Sequence, residues 1–305
     1  MIKESLNALG ASTRDALRNW RGLLLLAALY FLLLASVYDF FATGVATGWQ
    51  LIHGSALAAL AAPVLFFLLQ AAAANFALPG STAGTVARRT PRDFLKVLLV
   101  ALPLIGLAVL FVYLLGKFEG WLPKIEEPPA HAYVTATGDL KPAPLYWQTA
   151  LVSSLWLLLL GFLLPLAAAN LWLSTARDGL AATLKGIHRV LGRAFGPRPF
   201  FVYAIGLFVF GVMPYFVLFT RTPISNGWAE LFIFGLRLVL VFVLTLFGWA
   251  VTLGGLARVM PDASAPAVEA VTPPPAPTPQ ESTDAQSDLK PSQDEIFLTR
   301  DSQPS

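Results

Sequence analysis

Asp39 and Arg237 stand out first, because each falls inside a long apolar run, where an ionised side chain is costly and therefore a functional candidate. An ion pair between them would close the first apolar run against the last. Independent snorkelling of both side chains to the same interface is the alternative. Gln70, Asn75 and Asn170 place amides in two other runs, where they can line a polar path or hydrogen-bond between helices. The alanine runs beside them, 71–74 and 167–169, permit close packing and favour the second role.

Nucleophilic chemistry lacks its parts. Ser153 and Ser154 lie in an apolar run, but the three histidines, His53, His131 and His188, all fall in connections where they cannot activate a buried serine. The chain has no cysteine, which excludes disulfides, thiolate metal sites and cysteine nucleophiles. No His/Glu metal spacing, Gly-x-Ser-x-Gly elbow or Gly-rich phosphate loop occurs. No cofactor, metal or catalytic residue is expected, and nucleic acid is not an expected partner. A lipid-modifying enzyme would need Glu126, His131 and Asp139 of one long connection to converge.

The elements that carry these residues are set by composition. Of 305 residues 56% are apolar and 13% charged, against about 25% charged in an ordinary soluble domain. Six continuous apolar runs, 22–42, 55–77, 94–116, 150–173, 200–220 and 231–253, are each long enough to cross about 30 Å of hydrocarbon as a helix. A barrel strand would instead show short alternation. The fold expected is all-α: a polytopic bundle of six membrane spans, with the first run retained as a span rather than cleaved as a signal.

Positive charge orients it. In the connections and flanks, thirteen lysines and arginines lie on the side of the N-terminus against Lys117, Lys124, Lys141 and Arg221 on the other, which predicts cytoplasmic N- and C-termini in a bacterial inner membrane. Trp49, Trp121, Trp147 and Trp228 on the far side, with Trp20 and Trp172 on the near side, read as interfacial anchors.

Two segments are amphipathic. Residues 1–21 set Ile2, Leu6, Leu9, Leu17 and Trp20 apart from Arg14, Arg18 and Arg21, and the connection before the fifth run sets Leu180, Leu184, Ile187, Leu191 and Ala194 apart from Lys185, Arg189 and Arg193. Both read as surface helices lying in the membrane plane, with anionic lipid headgroups as the expected contact of their six cations. A protein partner or a second copy of the chain is the other expected associate.

An internal echo links 67–78 to 162–173 at a constant offset, with Asn75 matching Asn170, and Thr13-Arg-Asp before the first run matches Pro91-Arg-Asp before the third. A surface helix followed by an outgoing and a returning span, used three times, is the unit this implies. Pro63, Pro103, Pro165 and Pro214 interrupt the second to fifth runs and predict kinks, or freed carbonyls that bind a substrate. The proline-rich connection 117–149 reads as a cap or a lid. The stretch 259–305 turns to Pro, Ser, Thr and acids, and from Pro261 carries eight acidic and two basic residues. It reads as a disordered cytoplasmic tail with an apolar island at Ile296-Phe-Leu298.

Together with the Arg18-Asn-Trp-Arg21 entry to the first run, this layout resembles uncharacterised bacterial six-span inner-membrane proteins related to the membrane domain of glycerophosphoryl diester phosphodiesterases. The resemblance implies an inner-membrane bundle and no activity, since no phosphodiesterase domain is present. A non-enzymatic module that organises lipid or partner proteins is the leading expectation, with a small-molecule or lipid permease and then a lipid-modifying enzyme behind it.

Overall fold

A computed structural model of the chain describes residues 2–122, 147–220 and 227–260. Six of its helices are long and apolar enough to cross a membrane: Trp20–Ala42, Gly48–Ala77, Ala83–Trp121, Ala150–Asp178, Pro197–Phe219 and Gly227–Val259. No strand occurs among the described residues. These are the first to sixth spans. The expected runs are all present, but the third helix begins 11 residues earlier than its apolar run. At 39 residues it is about 58 Å long, so its first turns, with Arg88, Arg89 and Arg92, extend past the hydrocarbon. The lid, most of the 117–149 connection, and the tail beyond Met260 lie outside the described residues.

Local chemistry sets the helix ends. The N-terminal helix, Ile2–Arg18, stops at Asn19, whose Oδ1 accepts the Gly22 N–H at 3.3 Å and caps the first span. Its Nδ2 donates to the Ser81 carbonyl at 3.0 Å and pins the break to the turn between the second and third spans. That turn uses Gly80 at φ +73°, and Thr82 with Thr85 then forms a capping box. Gly179, at φ +84°, ends the fourth span. The amphipathic connection after it is two short helices, Leu180–Lys185 and Ile187–Ala194, broken at Gly186, rather than one.

Three of the four span prolines follow a π-helical turn. Leu57–Ala61 precedes Pro63, Leu157–Leu163 precedes Pro165, and Phe208–Val212 precedes Pro214. A proline has no N–H, and its ring crowds the carbonyl one turn back. The wider turn carries the ladder past it: Ala62, Leu164 and Met213, each just before its proline, donate to Leu57, Leu159 and Phe208 five residues earlier. Pro103 sits in an α-helix without such a turn.

Packing is concentrated at one end of the bundle, the end that carries the Ile2–Arg18 helix, here the near end. In the second span Phe67 and 69–76 are buried, in the fourth 166–175, and in the sixth Leu246, Gly248 and 250–256. All are near-end halves. The far halves expose large apolar residues such as Phe31, Leu110 and Phe232, as lipid-facing surface does. Apolar side chains gain little from leaving lipid for protein, so the near-end core holds through small residues and polar bonds. A Cβ on Gly248 would stand 2.0 Å from that of Phe210, and one on Gly254 would stand 2.1 Å from Ser12 Oγ.

Candidate functional site at the near end

The Ile2–Arg18 helix seats itself through small residues. Ser5, Leu9, Ser12 and Ala16 are its buried stripe, and Ser12 Oγ donates to the Val251 carbonyl of the sixth span at 2.9 Å. Ile2, Leu6, Leu17 and Trp20 remain exposed beside that stripe. Leu9 therefore belongs to the protein-facing side and not, as expected, to the apolar stripe with Ile2 and Leu6. The reason is steric: on the sixth span Gly254 leaves room for Ser12 and Gly255 leaves room for Leu9. Arg21 stacks over the Trp20 ring at 5.7 Å, just past the helix break.

Charge pairs tie this helix down at both ends. Glu4 pairs with Arg198 at 3.2 Å, and Asp15 pairs with Arg258. Those arginines open the fifth span and close the sixth. With Arg177 and Arg193 they line a cavity of about 770 Å³ whose wall includes Asn170 and Ser174. Arg177 pairs with Asp178 at 3.0 Å, and Ser174 Oγ lies within hydrogen-bond distance of Asp178 and of Thr183. The Arg193 guanidinium has no hydrogen-bond or ion-pair partner among the described residues. The fifth span begins on the same wall, after Gly196, with Pro197 and Pro199 leaving the Arg198 N–H as the backbone donor of its first turn.

Neither a protein-family model, nor a curated protein, nor a solved structure matches this chain. Its chemistry therefore rests on its own residues.

Asp39 and Arg237 do not pair. The Asp39 carboxylate lies 2.9 Å from His53 Nε2 at the start of the second span, and Arg237 donates to the Thr220 carbonyl that ends the fifth. Each instead meets a partner on the helix next to it in the chain. Gln70 accepts the Trp249 indole N–H at 3.0 Å, joining the second and sixth spans. Asn75 donates to its own Ala71 carbonyl and to Asp93, both at 3.0 Å. These two amides hold helices together. Asn170 repeats the local geometry of Asn75, donating to Leu166 four residues back at 2.8 Å, but it faces the arginine cavity. Of the three, Asn170 alone lines the arginine cavity.

The six expected headgroup cations, Arg14, Arg18, Arg21, Lys185, Arg189 and Arg193, are all exposed. Arg18 lines a second cavity, of about 510 Å³, between the N-terminal helix and the 78–82 turn. Trp172 is not an anchor: it is 6% exposed, and its indole nitrogen is buried without a partner. Alanine neighbours on the second and fourth spans let it pack inward.

Sequence reasoning missed Asp93, which is buried and holds Lys96 Nζ at 2.6 Å. Both fall at the edge of the third apolar run, where a charge is easily read as connection. The spacing of three is the signal that could have found the pair. It also missed the convergence of Glu4, Arg193, Arg198 and Arg258, which come from three distant segments. Among the described residues no group of three acidic, histidine or cysteine side chains could hold a metal.

Proposed function

We propose that this multi-pass protein is a non-enzymatic module of the bacterial inner membrane that gathers anionic phospholipid, and through it partner proteins, at a cytoplasmic near face. The observation that carries this reading is the gathering of Arg177, Arg193, Arg198 and Arg258 around one cavity at the near end. Arg14, Arg18, Arg21, Lys185 and Arg189, on near-end helices, are exposed as well. Phosphate-bearing headgroups are the anions that a membrane offers at this depth, and basic pockets between spans are suited to them. The excess of positive charge at the same end supports its cytoplasmic placement.

The test is lipid composition. The protein, extracted with its surrounding lipid by a membrane-solubilising polymer, should carry anionic phospholipid above its share in the parent membrane. Gln at Arg14, Arg18, Arg21, Lys185, Arg189 and Arg193 together should return that ratio to the parent value. Equal ratios before and after the substitutions would remove the reading.

A further inference from the structure

We propose that the near-end cavity is a single binding site for a phosphate-bearing anion, with Arg193 as its anchor and Arg198 shared between that anion and Glu4. The inference rests on the reading of the near face as an anionic-lipid surface, and narrows it to one place and one ligand chemistry.

Three of the four cavity arginines already have a carboxylate: Arg177 has Asp178, Arg198 has Glu4 and Arg258 has Asp15. Arg193 is the exception, a cavity-lining guanidinium with no carboxylate partner among the described residues. A guanidinium without a carboxylate is matched by a phosphate oxygen pair, which it can hold with two parallel N–H bonds. The start of the fifth span adds a second attraction for negative charge. Its first three positions are Pro197, Arg198 and Pro199, so only the Arg198 N–H remains to donate in that turn, on the same cavity wall as the Arg198 guanidinium. The remaining wall is apolar at Val190, Val259 and Met260, which suits the glyceryl and first acyl carbons of a phospholipid better than a bare ion.

The carboxylates then become competitors. An anion on Arg193 that also engages Arg198 must share it with Glu4, whose pair with Arg198 spans 3.2 Å and is more than half exposed on both sides. Such exposed pairs are weak, so exchange of Glu4 for a phosphate oxygen costs little. Because Glu4 lies in the first turns of the Ile2–Arg18 helix, occupancy of the cavity also loosens its charge pair with the fifth span.

The full chain, in bilayer particles of zwitterionic lipid, is titrated with a short-chain phosphatidylglycerol, with glycerol phosphate and with inorganic phosphate, and binding is read by native mass spectrometry. One equivalent of the short-chain lipid should bind. Arg193→Ala should weaken it by about tenfold or more, Arg193→Lys should restore part of the loss, and Glu4→Gln should tighten it by about threefold. Arg88→Gln removes an exposed near-end cation from outside the cavity and should change nothing. Opposite signs for Arg193→Ala and Glu4→Gln cannot come from misfolding alone. Glycerol phosphate or inorganic phosphate binding as tightly as the lipid would uphold the site and contradict the lipid reading. Several equivalents bound, or equal affinity in Arg193→Ala, Glu4→Gln and the unaltered chain, would overturn the site while leaving a diffuse lipid surface standing.

Discussion

Asn75 donates to Asp93 across 3.0 Å and joins the last turns of the second span to the start of the third. Lys96 holds the other oxygen of the same carboxylate at 2.6 Å. Both Asn75 and Asp93 are buried, so the pair is an internal strut, and a buried carboxylate stripped of a donor is costly. Asp15, the counterpart of Asp93 in the Thr13-Arg-Asp and Pro91-Arg-Asp echo, also reaches a returning span, at Arg258.

Removal of that strut should be measurable. Asn75→Ala and Asp93→Asn are each expected to lower stability by about 1–3 kcal/mol. The double substitution should cost less than their sum by about 0.5–2 kcal/mol. Reversible unfolding in mixed micelles checks this, and full additivity would mean that the two side chains do not interact.

Close approach of the fifth and sixth spans gives a second expectation. Gly248→Ala places a methyl group 2.0 Å from Phe210 Cβ and should destabilise by about 1–3 kcal/mol. Phe210→Ala in the same chain should recover much of that loss, although alone it is destabilising. Thermal unfolding of the three variants decides it.

The helix pairing at the far end can be read chemically, because the chain has no native cysteine. A short bifunctional thiol reagent should link Asp39→Cys to His53→Cys and leave Asp39→Cys with Arg237→Cys unlinked. Cross-linking of the second pair instead would reinstate the ion pair that the sequence suggested.

Orientation is tested at two glycines. A Cβ at Gly48 or at Gly84 meets nothing within 4 Å, so cysteine at either is expected to fold. An impermeant maleimide added to intact cells should label Gly48→Cys at the far end and spare Gly84→Cys at the near end. The reverse pattern would place the arginine cavity outside.

Span number was legible because six continuous apolar runs leave the backbone one way to satisfy its polar groups in lipid. Alanine runs stand beside all three amides, but only Gln70 and Asn75 bond between helices, whereas Asn170 bonds to Leu166 within its own. Partner choice was not legible. Asp39 met His53, at the start of the next helix, and Arg237 met the Thr220 carbonyl that ends the preceding one, and spacing along the chain does not encode which of the available partners is met. The π turns before Pro63, Pro165 and Pro214 escaped for a related reason: proline announces an interruption, and only the surrounding helices decide whether it becomes a kink or a wider turn. The arginine cavity was invisible because its residues converge from positions 4, 193–198 and 258, and no periodicity links them.

Selection of anionic phospholipid by the near end is read out by native mass spectrometry of the chain released gently from its own membrane. Anionic phospholipid retained at stoichiometric amounts, and lost when the six exposed cations become glutamine, is the expected result. Retention of zwitterionic lipid in the proportions of the parent membrane, unchanged by those substitutions, would contradict it.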